Sequence, residues 1–266
     1  MTFELAISTM HKTHSEILEM LEKENVHCDC IIINQCDEER TEELKIEKQR
    51  VRIFYTTERG LSRSRNMALH NAIADIIAFA DDDLFYYDGF DKIILDYYQK
   101  NTKADAVIFN IDSFMKKFGT LEKKCKFLDL GTYISFQTSL NRNAILKKNV
   151  LFREMFGTGS KVFDSGEENI FLSDCFKAGL KIYYCPKKIL LHKEGKSTWF
   201  KGFNDKNYII DRGAIFYALS PVLSVLFIFA FAILKRRILK PISFFKSIKL
   251  MLEGRNRYLQ MLKLEK

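Results

Sequence analysis

A chain of 266 residues, 47% hydrophobic and 29% charged with only 3 Pro and 12 Gly, has the material for a large core. That composition excludes a disulfide-stapled mini-protein, a disordered segment and a collagen-like repeat. The net charge of +8 lies in one place: Lys235 to Lys266 holds ten basic and two acidic residues, leaving 32 of each before it from totals of 42 and 34.

This asymmetry argues against a nucleic-acid partner, whose charge would be met by Lys and Arg spread over a folded body. A basic tail beside an apolar run points instead to anionic lipid. The six cysteines, Cys28, Cys30, Cys36, Cys125, Cys175 and Cys185, fall in apolar segments, and the chain opens without a signal-peptide pattern. They are expected to be buried thiols in a reducing cytosol. Cys28, Cys30 and Cys36 lack CxxC spacing, so a zinc site is not expected.

From the N-terminus, strand and helix patterns alternate. Phe3 to Ile7 is an apolar run that stops at Ser8 and Thr9, a first strand ending in a loop. Glu16 to Glu24 sets Ile17, Leu18, Met20 and Leu21 at helical spacing, and Cys28 to Ile33 suits a buried parallel strand. Val51 to Tyr55 predicts a third strand, and Ser62 caps a helix carrying Met67, Leu69, Ala72 and Ile73. Ile76 to Ala80 predicts a fourth strand that runs straight into Asp81, Asp82 and Asp83. Phe90, Ile93, Ile94, Tyr97 and Tyr98 mark another helix, and Ala106 to Ile111 another strand. Such alternation predicts a doubly wound α/β sheet, with ligands at the carboxyl ends of its strands. Asp112 to Phe163 is less regular, broken by Gly119, Gly131, Gly157 and Gly159, and Tyr133 to Thr138 resembles a strand. Glu167 to Ala178 reads as a helix ended by Gly179, and Lys181 to Cys185 as a strand closed by Pro186.

Three aspartates in succession after an apolar strand repel one another, and a divalent cation removes that cost. On extended chain Asp81 and Asp83 point to one side and Asp82 to the other, so the outer pair can grip a cation, or a cation and a ribose. A metal held by few carboxylates, magnesium or manganese, keeps open positions for a diphosphate. The segment GLSRSRN, Gly60 to Asn66, adds helix N–H groups and the cations Arg63 and Arg65 at the same sheet edge. The plainer reading of these residues is an acidic strand-end loop and a capped helix with a solvated basic face.

The order of a first strand ending at Ser8 and Thr9, then GLSRSRNMALHNA, IIAFADDD, FGTGSKVFDSGEENIFLSDCFKAGLKIYYCP and LLH, resembles the family 2 glycosyltransferases of the GT-A fold, of the kind that assemble bacterial surface polysaccharides such as capsule. The resemblance covers residues 1 to 200 and implies a mixed, mainly parallel sheet, a nucleotide-sugar donor and a Mn2+ or Mg2+ cofactor. It assigns Asp81 to the donor and the metal, Asp83 to the metal, and Asp82 to the ribose or sugar. Ser8, Thr9, Arg63, Arg65 and Asn66 join them as donor-binding residues. His192, after Leu190 and Leu191, falls where relatives place a His on the metal or diphosphate, although a lone His there is commonly a packed residue.

Two departures from the family pattern stand out. Where it usually reads Glu-Asp and the second acid is the general base, this chain has Glu167 and Glu168, so Glu168 is the candidate base and Glu167 its competitor. Acids at a helix N-terminus also serve the macrodipole. Where the family commonly has an Asp that meets the nucleobase, this chain has Asn34 and Gln35, whose amides still donate to and accept from a uracil edge.

Residues 201–266 read as a hydrophobic and basic region that associates with the membrane. Ala214 to Leu234 is long enough to cross a bilayer, but crossing would export the basic tail against the positive-inside rule, and Pro221 would kink it. A re-entrant or interfacial pair of helices fits better, with Phe244, Phe245, Ile248, Leu252, Tyr258 and Leu262 on lipid and Lys246, Lys249, Arg255 and Arg257 near phosphates. The soluble alternative is a hairpin packed on the domain or on a second subunit. Membrane attachment implies the cytoplasmic face and a lipid-linked saccharide acceptor. The rival functions are a nucleotide-sugar-binding partner without turnover and a phosphohydrolase with DxD; in the latter the motif follows strand one rather than strand four.

Overall fold

The computed structural model describes residues 1–113, 119–192, 205–240 and 242–264. In chain order its first half comprises β1 (Phe3–Met10), α1 (His14–Lys23), β2 (Cys30–Gln35), β3 (Arg40–Ile46), β4 (Gln49–Thr56), α2 (Leu61–Asn71), β5 (Ile76–Asp81), β6 (Leu84–Tyr86), α3 (Phe90–Lys100) and β7 (Ala106–Ser113). After β8 (Lys123–Lys124) come two 3-10 helices, Phe127–Thr132 and Ser135–Gln137, then β9 (Thr138–Asn141), α4 (Arg142–Lys147), α5 (Glu167–Lys177) and β10 (Ile182–His192). Three helices follow: α6 (Lys206–Leu219), α7 (Ser224–Leu234) and α8 (Phe244–Leu264).

The strands form one mixed sheet in the order β3-β4-β2-β1-β5-β9-β7-β10-β6, with β8 beside β10. β4, β2, β1 and β5 are parallel, as are β7 and β10, and β9 enters antiparallel between the two sets. Both faces are covered, which explains the apolar runs Leu5–Ile7, Cys30–Ile33 and Ile76–Ala80 within the central strands. Leu5, Ile7, Ile32 and Ile53 face Ile17 and Met20 of α1 and Phe90 and Ile94 of α3. The alternate residues Ala6, Ile31, Ile33 and Phe79 face Leu69 of α2 and Phe171 and Cys175 of α5. A Thr13–Glu16 capping box starts α1, so the chain turns immediately after β1 and leaves that strand's carboxyl end open.

Several local expectations are corrected. Ser62 does not cap α2: Gly60 is the cap residue, and Ser62 Oγ donates instead to the Phe156 carbonyl. Tyr133 to Thr138 is not a strand but leads through a 3-10 turn into β9. Pro186 does not close β10, because register shifts between Cys185 and Lys188 take the missing N–H out of the ladder. The run from Ala214 to Leu234, by contrast, is interrupted at Pro221 as expected, and α6 and α7 are separate helices.

The boundary expected at 200/201 lies outside the described residues. Beyond it, α6 and α8 share a core with the segment before α5: Phe156, Phe163 and Ile170 pack with Ala214, Ile215, Ala218 and Tyr258. The helices α6 and α8 cross in backbone contact. A Cβ on Gly213 would stand 1.7 Å from the Met251 carbonyl oxygen, and one on Gly254 1.8 Å from that of Ile210. Tyr258 and Ile248 are therefore buried in protein, not turned to lipid as expected, while Phe245 is exposed. No helix among the described residues is long and apolar enough to cross a membrane.

Candidate active site

The carboxyl ends of β1 and β5 are in register, with Ser8 opposite Asp81, and the first turn of α5 faces them across α2. Gly166, at φ 95°, caps α5 and lies against Ile215 of α6; a Cβ there would come within 2.4 Å of that side chain. This close approach fixes where Glu167 and Glu168 enter the site.

Arg65 joins the two sides. Its guanidinium is buried, donates from Nη1 to Glu167 Oε1 at 3.2 Å, and donates from Nη2 to Asp81 Oδ1 at 3.1 Å and Ser135 Oγ at 2.6 Å. The Phe79 and Phe152 rings lie 5.9 and 5.6 Å from its centre. Burial opposes the Arg65 charge, and Asp81, Glu167 and Glu168 outweigh it, so the guanidinium is held above its usual range. Its Nε is buried without a partner among the described residues.

Glu168 makes no ion pair with Arg65 and is only partly covered; it accepts from Ser135 Oγ at 3.3 Å. Burial first, then repulsion from Glu167, pushes its carboxyl up to about 8, with Arg65 opposing. The competition between the two glutamates thus has a physical basis: Glu167 is held by Arg65 and Glu168 retains the proton affinity of a base. Ser135 went unread in the sequence because it lies in the irregular middle, where no periodicity or motif marks it.

Asp82 accepts from Thr9 Oγ1 at 2.6 Å and pairs with Lys12 Nζ at 3.3 Å, facing away from Arg65. Asp83 is the most accessible of the three. It is raised from the ordinary carboxylate value by the turn that displaces water around it and then by Asp81 and Asp82, while His192 opposes. His192 closes β10 opposite Leu84, its ring stacked on Phe136 at 5.2 Å. Among the described residues no three His, Cys, Asp or Glu side chains are already arranged as a metal site. Arg65 and Lys12 meet Asp81 and Asp82, whereas Asp83 makes no ion pair among the described residues, so the third carboxylate of the triplet is left without a matching cation. That donor set fits a divalent cation completing its coordination with phosphate oxygens and water.

The remaining predicted residues are engaged elsewhere. Asn34 exchanges bonds with the Lys12 backbone at 3.1 and 2.6 Å, and Gln35 Oε1 accepts from Gly60 N at 2.7 Å, so these amides shape the loops around the site. Asn66 is tied to the backbone of Phe152, and Ser8 Oγ accepts from Ser64 Oγ. Arg63 is exposed and paired with Glu58 and Glu154. Beside the aspartates, α1 and Leu84 border a cavity of about 370 Å³. Glu24 lines it, buried with Oε2 unpartnered among the described residues, and burial followed by Asp82 and Asp83 pushes its carboxyl up to about 8. Nothing in the sequence set Glu24 apart from its acidic neighbours on α1.

The structure is a mixed α/β sheet with acids gathered beside the carboxyl end of β5, an architecture consistent with the GT-A fold, and the sequence agrees. Residues 7–164 match the family described as "Glycosyl transferase family 2", so this chain belongs to that family of glycosyltransferases. In structure it is similar to S. aureus TarS 1-349 in complex with UDP-GlcNAc, with a TM-score of 0.60 and 12% identity over 98% of this chain and 92% of that one. It is also similar to TarS 1-349 in complex with UDP, with a TM-score of 0.58 and 12% identity over 98% of this chain and 72% of that one. No curated protein matches in sequence.

Proposed function

We propose that the chain is an inverting glycosyltransferase that moves a sugar from UDP to a hydroxyl of a lipid-linked saccharide at the cytoplasmic face of the membrane, in surface-polysaccharide assembly. The observation that carries the reaction is Glu168, a partly accessible carboxyl of raised proton affinity beside the Arg65–Asp81–Glu167 cluster. The TarS complexes with UDP and UDP-GlcNAc support a uridine donor. The basic and apolar C-terminal region supports the lipid-linked acceptor.

The acceptor oxygen attacks the anomeric carbon on the face opposite the diphosphate. Glu168 takes the hydroxyl proton, the bond from the anomeric carbon to the phosphate oxygen breaks, and its electron pair leaves with UDP. One displacement inverts the configuration, and no covalent enzyme intermediate forms. Arg65 holds Glu167 and Asp81 in place, and Ser135 orients Glu168. Asp81 and Asp83, with His192 alongside, would hold Mn2+ or Mg2+. When bound, such an ion supplies positive charge opposite the departing diphosphate.

A screen of sugar nucleotides for protection against thermal unfolding, with and without manganese, tests the donor and the metal together. Protection by a UDP-sugar that needs the metal and is lost in Asp83→Ala is expected. Protection independent of both metal and Asp83 would remove the aspartates from the assignment.

A further inference from the structure

Among the described residues, one side of α7 and the turn before it is uncovered. The helix is apolar all round, and Ser224, Ile228 and Ala232, four residues apart, are the stripe it buries against its neighbours. Val222, Leu226, Phe229, Ile233 and Leu234 form the opposite ridge, 44–89% exposed. A helix apolar on every side belongs in a protein core or in lipid. Here about half of the perimeter meets no core among the described residues.

The charges next to the ridge indicate which apolar medium covers it. Lys235, Arg236, Arg237 and Lys240 follow within six residues, all exposed, and none makes an ion pair among the described residues. An apolar ridge ending in unpaired cations matches a leaflet whose acyl layer lies beneath anionic phosphates. Eleven residues at about 1.5 Å each give ~16 Å, roughly half of a bilayer's hydrocarbon thickness, so the ridge enters one leaflet and does not cross.

We propose that the Val222–Leu234 ridge inserts into one leaflet of an anionic phospholipid bilayer, with Lys235, Arg236, Arg237 and Lys240 on the lipid phosphates. It rests on the reading of a membrane-bound acceptor and names the element that makes the contact. α8, whose Ile248 and Tyr258 are buried, is its support within the protein.

Flotation of the full chain with vesicles of phosphatidylcholine alone or with 30% phosphatidylglycerol tests this without donor or acceptor. Binding to the anionic vesicles, falling with salt, is expected for the unaltered protein. Leu226→Asp with Phe229→Asp should weaken it at least tenfold at every salt concentration. Replacing the four cations by Gln should abolish the preference for anionic vesicles, and thermal unfolding checks that both variants remain folded. Folded variants that float like the unaltered chain would overturn the proposal. So would a chain that ignores vesicles and instead forms a dimer dispersed by the Asp pair, which would make the ridge a contact between copies. UDP-sugar protection is read separately, so nucleotide-sugar binding can stand while the ridge assignment fails, and the reverse.

Discussion

Two buried guanidinium–carboxylate clusters sit at opposite ends of the same parallel strands. At the amino end, Glu4 accepts from Arg52 Nε at 3.2 Å and Nη2 at 2.5 Å and from the N–H groups of Ile73 and Ala74, while Arg52 Nη1 reaches the Asn71 carbonyl. Both charges are matched and both carboxylate oxygens are used. At the carboxyl end, one guanidinium serves Asp81 and Glu167, Glu168 is left outside the pair, and Arg65 Nε has no partner among the described residues. The first cluster fastens the sheet. The second is short of positive charge and has one carboxyl displaced from its ordinary protonation, an arrangement suited to a charged ligand and a proton transfer.

Glu168→Gln should break the comparison most sharply, lowering turnover by roughly 10²–10⁴-fold, the range ascribed to general bases, while UDP-sugar still protects against heat. Single-turnover transfer of labelled sugar measures this, and a loss smaller than fivefold would return the role to Glu167. Arg52→Ala addresses the other end: it should cost about 3–5 kcal/mol by leaving Glu4 buried and unpaired, and lower Tm by about 10 °C. Turnover per folded molecule should stay near that of the unaltered chain.

The pH dependence separates the clusters further. Glu168 must be ionised to accept a proton, so kcat/KM should rise with pH through about 8. Its folded pKa lies above the unfolded value of 4.5, so the neutral acid favours the fold; that stability is complete below 4.5 and is lost as pH rises through 8. Glu168→Gln should therefore gain at least ~2 °C in Tm over the unaltered chain at pH 9 and nothing at pH 4. Equal melting curves at pH 9 would show that Glu168 is not strained. The smallest effect is expected for Ser135→Ala, which removes a donor to Glu168 and should move the activity limb to higher pH with turnover reduced less than ~10-fold.

Much of the sheet was legible because strands covered on both faces carry unbroken apolar runs, as Cys30–Ile33 and Ile76–Ala80 show. β3, RTEELKI, escaped because it is an edge strand with charges on both faces, held by pairing with β4 that no local pattern reveals. β10 was cut short because a proline stops a regular ladder, and only a bulge makes it compatible. In the site, the triplet and Glu167–Glu168 were legible from their positions after a strand and at a helix start. Which glutamate Arg65 binds was not, since that depends on contact across 102 residues. Asn34 and Gln35 show the converse: their chemistry suits a base edge, but the Lys12 backbone engages both ends of the Asn34 amide and Gly60 N–H engages the Gln35 oxygen.

The crossing at Gly213 and Gly254 makes the last sixty residues hard to remove. A chain trimmed before residue 205 loses the side chains that cover Phe156 and Phe163, and the turn leading to Gly166 loses Ile215 as its stop. Efforts to obtain a minimal soluble enzyme by deleting the greasy tail should thus yield a sheet that can still form around β1 and β5 but whose acid pair is no longer aimed.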